Sequence, residues 1–436
     1  MTPAARLAAA IEVLQEVEAR HRPVRQALKA WGDQARYAGA KDRAAVSGLT
    51  LDSLRRRRSL AWRMSLDTPR AAVLAALRFA WGWETSALAE AAAAEPHGPG
   101  PLTQEEARAL AEPRSLEAAP AAVRGDYPDW LDEPMARAFG EARAEEGQAL
   151  ARRAPVDLRV NRLKSDPERV MKALEGAGAE PSGLLADAVR IPAPDAAQRA
   201  PAVESLPAFA KGWFEVQDQG SQVAAAAAGE VRGRQVLDFC AGGGGKTLAL
   251  AAAMANTGQL YAYDADPRRL SEVVRRAQRA GVRNLQVRSP REAAALDDLA
   301  GRMDVVFVDA PCTGSGTWRR HPDAKWRLTP AQLERRRAEQ ASVLAAAQAF
   351  VRPGGRLIYV TCSVLTEENE DQVAAFLTAA PDVSMRPALE AIAASGLVAE
   401  AGLQALSERQ TPVGFLRLSP RSGDTDGFFV AVLERA

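Results

Sequence analysis

Cysteine is scarce: Cys240, Cys312 and Cys362 are the only three in 436 residues. A disulfide framework needs more, and no two stand at the spacing of paired zinc ligands. The sequence therefore predicts free thiols in a reducing, cytoplasmic setting and no metal site. Apolar runs are short as well. None reaches the roughly 18 consecutive residues of a membrane-spanning helix, and no basic segment leads into an apolar core at the N-terminus, so no membrane association is expected. A charge surplus is also lacking, since 56 Lys and Arg meet 55 Asp and Glu for a net +1. What remains is a chain of ordinary globular make-up, 47% hydrophobic and 25% charged, too long for one core and suited to two or three domains.

The near-zero net charge hides an uneven distribution. Residues 1–80 carry 15 Lys and Arg against 7 Asp and Glu, a surplus of eight, including the run Arg55, Arg56, Arg57, Arg58. A basic first domain on a neutral protein points toward nucleic acid, although such a run also suits a solvated helix face. Apolar residues recur there at helical spacing, as in Leu7, Ile11, Leu14 and Val17, which predicts an all-helical domain over 1–93. Prolines and glycines then accumulate, and 94–125 reads as a linker. A small mixed α/β segment is expected over 126–205, with strands at 156–161 and 188–191 around a helix at 166–176.

Over 206–436 the pattern changes to β-rich runs separated by helix-length intervals, at 235–238, 259–264, 305–309 and 356–362. Such alternation predicts crossover connections and a doubly wound, mainly parallel sheet in a Rossmann-type α/β domain. Each run stops at a polar or reactive side chain: Asp238, Asp264, Asp309 and Cys362. Ligands of open α/β sheets bind beyond the carboxyl ends of the strands, so these four endings are expected to line one site.

The first of them opens a glycine turn, Asp238-Phe239-Cys240-Ala241-Gly242-Gly243-Gly244-Gly245-Lys246, before a helix near Thr247. Glycines there let a ligand approach the backbone at a helix N-terminus, and Asp264, closing the next run, stands where a carboxylate meets a ribose. An adenosine-bearing cofactor is favoured. ATP would need glycine where Cys240 stands, and a nicotinamide would need G-x-G-x-x-G, which the turn does not supply. S-adenosylmethionine is left, with Asp238, Cys240, Ala241, Gly242, Gly243, Gly244, Gly245, Lys246, Asp264 and Asp309 as candidate binding residues and Lys246 able to reach a carboxylate. A glycine turn without a ligand is the plain alternative.

Cys312 in DAPCTGSGT and Cys362 in TCSVLTEEN both follow strand ends in polar surroundings. A buried cysteine is commonly just a small hydrophobe, but two placed this way suggest chemistry. Carbon 5 of cytosine is a weak nucleophile. A thiolate adding to carbon 6 makes it an enamine-like centre able to attack a sulfonium methyl, while a carboxylate such as Asp309 holds the base edge as charge moves toward N3. A second thiol can then assist release of the adduct.

These residues resemble the RsmB/Fmu/Sun family of RNA cytosine-5 methyltransferases, related to the NSUN proteins. The resemblance rests on DFCAGGGGKT (238–247), DAPCTGSGTWRRHPDAKWRLTP (309–330) and RPGGRLIYVTCSVLTEENE (352–370), with weaker matches at 126–131, 158–164 and 214–222. It implies a class I methyltransferase domain with S-adenosylmethionine as cofactor and RNA, 16S ribosomal RNA above all, as substrate. Cys362 becomes the nucleophile, Cys312 the residue that helps break the adduct, and 1–93 a domain similar to the antiterminator NusB. Arg319, Arg320, Lys325 and Arg327, interleaved with Trp318 and Trp326, are expected to contact RNA. Two departures stand out: the family turn usually carries a proline that Ala241-Gly242-Gly243-Gly244-Gly245 lacks, and Val287-Arg288-Ser289-Pro290 replaces an acidic residue that follows the third strand. A noncatalytic RNA-binding or ribosome-assembly factor that kept this fold is the competing reading.

Overall fold

The computed structural model describes every residue except Ala197, Arg199 and Ala293. The chain divides into two compact units, Met1–Arg153 with Ala193–Ala200 and Trp318–Leu328, and Ala154–Pro192 with Pro201–Thr317 and Thr329–Ala436.

The first unit is helical. Its opening helix, Pro3–Arg20, begins where the Thr2 hydroxyl accepts from the Ala5 amide, has proline in its first turn, and ends at His21 in the left-handed conformation. Leu7, Ile11, Leu14 and Val17 are all buried, each contributing about 1.5–3 kcal/mol on leaving water. The expected linker is instead part of this unit. Gln104–Ala111 is a helix started by a reciprocal cap between Thr103 and Glu106, Leu110 is fully buried, and Glu106 binds Arg70 at 2.8 Å. Prolines and glycines shorten the helices here without releasing them from the core.

Residues 126–153 pack with the helical unit. Asp126 explains why. Its buried carboxylate accepts from the Ser59 amide and hydroxyl, both at 2.8 Å. The stretch Trp318–Leu328 joins the same interior. Lys325, only 1% exposed, donates to the Arg55 carbonyl at 2.8 Å, and the Trp326 indole donates to the Leu54 carbonyl at 2.7 Å. The Arg55 guanidinium in turn donates to the Arg319 carbonyl.

The second unit holds two sheets. In the smaller, β1 (Val156–Val160) pairs antiparallel with both β3 (Ala188–Ile191) and β4 (Phe214–Val216), and β2 (Glu180–Pro181) extends β3. In the larger, β5 (Gln235–Asp238), β6 (Gln259–Tyr263), β7 (Leu285–Arg288), β8 (Met303–Asp309) and β9 (Val351–Thr361) run parallel in the order β9-β8-β5-β6-β7. The four expected runs are β5, β6, β8 and β9. Three further strands, β10 (Val383–Arg386), β11 (Leu416–Leu418) and β12 (Phe428–Arg435), extend the sheet antiparallel beyond β9. Val236, Val305, Phe307, Ile358 and Val430 fill one face of the sheet, and Leu237, Val306, Val308, Leu357 and Phe429 the other, as a parallel sheet covered on both sides requires. Chain order reverses at β5 and β8, which makes their carboxyl ends the crevice of this fold. Among the described residues, no helix is long and apolar enough to cross a membrane.

The buried Lys325 generates a stability prediction. Burial pushes its ammonium down and pushes Asp126 up, while each charge opposes the other's shift. Removing one of two buried opposite charges leaves the other uncompensated, so Lys325→Ala should destabilise the helical unit by about 3–5 kcal/mol. Urea unfolding followed by tryptophan fluorescence reads this loss; an unchanged midpoint would place Lys325 at the surface.

Candidate active site

Four elements of the second unit deliver their ends to one edge. After β5 the chain turns through residues 239–244 into the helix Gly245–Ala253. Gly244 caps that helix at φ +84°, and a Cβ there would crowd Val273 at 3.3 Å, so the left-handed turn and the close packing both call for glycine. The turn is held from outside, which answers the absence of proline. The Ala241 amide donates to the Tyr263 carbonyl at 2.9 Å, the Gly242 amide to Asp264 Oδ2 at 2.8 Å, and Arg276 reaches the Gly243 carbonyl at 2.6 Å. Asp264 accepts a second amide, that of Asp266, at 2.8 Å.

Lys246 lies in the first turn of that helix and is buried. Its Nζ donates to Asp309 Oδ2 at 2.7 Å and sits 5.1 Å from the centre of the Phe428 ring. Burial alone would lower its pKa, but the Asp309 carboxylate reverses the sign and holds the ammonium charged. The sequence reading aimed Lys246 at a cofactor carboxylate; its partner here is the protein's own. Asp238, fully buried, accepts from the Thr247 hydroxyl at 2.6 Å through Oδ2, while Oδ1 has no partner among the described residues. Burial, outweighing that hydrogen bond, pushes Asp238 up to about 7. A buried acceptor left open beside a glycine turn is what a cationic ligand such as a sulfonium would relieve, so these residues fit S-adenosylmethionine.

The two thiols meet. Cys312 lies three residues beyond β8 and Cys362 directly beyond β9, and their Sγ atoms are 3.4 Å apart. Both are half-buried free cysteines. The hydrogen bond shared with Cys362 first, then burial and nearby negative charge, raise the Cys312 pKa well above the ordinary thiol range, so Cys312 is protonated at rest. The loops carrying them are tied together as the Gly316 amide donates to the Cys362 carbonyl at 3.0 Å and the Gly427 amide to the Gly316 carbonyl at 2.8 Å. Cys240 is kept protonated by burial among Asp238, Asp309 and Asp264.

The expected site residues therefore divide. Asp238, the turn 240–245, Lys246, Asp264, Asp309, Cys312 and Cys362 all end on this one unit's sheet edge or the loops leaving it. Arg319 and Lys325, read from sequence as RNA contacts, are each 1% exposed inside the helical unit, and this burial removes them from any phosphate. Arg320 is half-buried and Arg327 exposed, with Arg327 paired to Asp323 at 2.9 Å. Where the family's acid would follow β7, Arg288 instead lies 5.1 Å from the centre of the Tyr261 ring and binds Asp298 at 2.8 Å. Two residues escaped the sequence reading, Thr247 and Glu368. Both sit inside quoted motifs, but neither is a nucleophile or a strand ending, so nothing in their spacing marked them.

Comparison with known proteins bears on this geometry. Residues 228–434 match the family model for the 16S rRNA methyltransferase RsmB/F, and 127–198 match that of an RsmF/B-like ferredoxin-like domain. The ribosomal RNA small subunit methyltransferase B of Klebsiella pneumoniae is 35% identical over 315 residues, 70% of this chain and 65% of that protein. Its namesake in Salmonella typhi is 34% identical over 319 residues, 73% of this chain and 68% of that one. The chain thus spans about two thirds of the length of these relatives. Among solved structures, a methyltransferase homolog protein from Pyrococcus horikoshii aligns at 25% identity with a TM-score of 0.57, covering 72% of this chain and 98% of its own.

The open carboxylate of Asp238 predicts a pH signature. A carboxyl whose folded pKa is raised binds protons more tightly folded than unfolded, so it favours the fold at low pH, and that contribution is lost as pH rises from about 4 to about 7. Without cofactor, Asp238→Asn should lose less melting temperature than the parent between pH 4.5 and pH 7.5. Differential scanning calorimetry at the two pH values reads the difference; parallel losses would contradict the assignment.

Proposed function

We propose that this chain, which belongs to the RsmB/F family of 16S rRNA methyltransferases and takes S-adenosylmethionine as its cofactor, methylates carbon 5 of a cytosine in RNA, 16S ribosomal RNA above all, through a covalent adduct on Cys362. The observation that carries this reading is the 3.4 Å gap between two sulfurs at the carboxyl edge of the sheet, where Lys246 and Asp309 are also paired. A methyltransferase acting on oxygen or on an exocyclic nitrogen has no use for two adjoining thiols.

The bound cofactor supplies an electrophilic methyl group. Cys362, as thiolate, forms a bond to carbon 6, and the electron pair of the 5,6 double bond becomes available at carbon 5. Asp309, anchored through one oxygen by Lys246, presents its carboxyl to the polar edge of the base and steadies it as charge shifts toward N3. Once carbon 5 carries its methyl group it must lose its proton. Water takes that proton, the electron pair of its bond to carbon 5 re-forms the ring double bond, and the carbon 6 to sulfur bond breaks so that Cys362 departs as a thiolate. Cys312, at hydrogen-bond distance from the departing sulfur, assists this release. The cytosine reaches the edge only when unpaired or rotated out of a helix. Arg320 and Arg327 and the basic stretch of residues 1–80 remain the RNA-contacting groups of this reading, without Arg319 and Lys325.

Bisulfite sequencing of unmodified 16S ribosomal RNA incubated with the protein and S-adenosylmethionine tests the product. A protected cytosine is expected with the parent protein and none with Cys362→Ala; methyl incorporation without a protected cytosine would overturn the assignment to carbon 5. Cys312→Ala should instead trap protein on RNA, seen as a retarded band on denaturing gels that depends on cofactor. Full turnover without that band would remove Cys312 from the release step.

A further inference from the structure

Glu368 is fully buried, six residues beyond Cys362 in the short helical turn Thr366–Glu368. Three donors converge on its carboxylate. Oε1 accepts from the Thr313 amide at 2.8 Å and from Gln340 Nε2 at 3.0 Å, and Oε2 accepts from the Thr313 hydroxyl. Gln340 Nε2 also reaches the Pro311 carbonyl at 3.0 Å, so the residues on both sides of Cys312 are held by one connected set of bonds. The glutamate itself is fixed through its main chain, whose carbonyl accepts from the Tyr359 hydroxyl of β9 at 2.7 Å. Its neighbour Asn369 bonds Thr361 and the Ser363 carbonyl, flanking Cys362 on either side. A buried carboxylate costs several kcal/mol unless it is fully satisfied, and a capped loop would need only one of these bonds. So costly a group is out of proportion to the task of closing a loop.

We propose that Glu368 is the positioning residue of the second thiol: its carboxylate ties the Cys312–Thr313 turn to the segment that carries Cys362 and thereby sets the sulfur-to-sulfur gap across which the adduct is released. The inference rests on the role given to Cys312 above. Negative charge at Glu368 has a second effect in the same direction. After the hydrogen bond shared with Cys362 and burial, it is among the causes that raise the Cys312 pKa. Glu368 touches neither base nor cofactor; it acts through Cys312.

Glu368→Gln keeps the shape of the side chain and removes the charge. Turnover on 16S ribosomal RNA should fall roughly 10- to 100-fold, the loss expected when a hydrogen bond to a charged group is removed, and a cofactor-dependent RNA adduct should accumulate as in Cys312→Ala. A readout without RNA separates this inference from the function it rests on. In a Cys362→Ala background, iodoacetamide labelling of the Cys312 peptide, followed by mass spectrometry across pH, should shift to lower pH when Glu368 becomes Gln. Parent-like turnover without adduct would overturn the proposal. So would lost turnover in a folded protein with neither adduct nor labelling shift, since that marks a role in folding alone. Should Glu368→Gln melt early, Thr313→Val, which removes a single donor, should still raise the adduct above parent level, and an adduct at parent level there would equally overturn it.

Discussion

The parallel pairing of β8 with β9 is the constraint on which the rest of the catalytic unit depends. Asp309 lies opposite Val360, and the Ala310 amide continues the ladder by donating to the Val360 carbonyl at 2.8 Å. With that register, a turn of three residues after one strand and a single step after the other bring two sulfurs within hydrogen-bond distance. A shift of one residue would send Asp309 or Cys362 to the opposite face, because side chains alternate along a strand. Register is defended by what lies behind it: Phe307, Val308, Ile358, Tyr359 and Val360 are fully buried on the two faces of the sheet, and a slip would expose them.

Around that edge the protein concentrates charge where charge is expensive. Lys246, Asp309, Asp238 and Asp264 surround one glycine turn, and their satisfaction is unequal. Asp264 is met by two amides, Asp309 by an ammonium, and Asp238 by one hydroxyl only. An interior that completes two of its acids and leaves the third open fits a ligand that brings positive charge. The protein's own lysine cannot serve all of them, since its short bond is spent on Asp309.

The helical unit uses cations in the opposite way. Arg55, Lys325 and Arg319 are buried; Lys325 donates to the Arg55 carbonyl, and Arg55 donates to the Arg152 and Arg319 carbonyls and pairs with Asp52. A segment rich in arginine, lysine and tryptophan is the composition of an RNA-binding strip and also that of a buried polar core. Which one it is depends on whether Ser59, Asp126 and Leu54 lie beside it, and they stand about 190 to 270 residues away in the chain.

What the sequence by itself determined was local or periodic. Helical spacing marked the first unit, β-rich runs ending in Asp238, Asp264, Asp309 and Cys362 marked the parallel sheet and the edge where they gather, and the two thiol motifs marked the sulfurs that meet there, because strand endings and cysteines are written in consecutive residues. Only the tertiary structure decided the packing of residues 126–153 with the helical unit, the burial of Arg319 and Lys325, the pairing of Lys246 with Asp309, and the grip of Glu368 on the Cys312 turn. Each of these joins residues far apart in the chain, where composition and spacing carry no information about distance. A charged side chain has the same letter whether it meets water, RNA or a carboxylate in the core, and the fold alone settles which partner repays its desolvation.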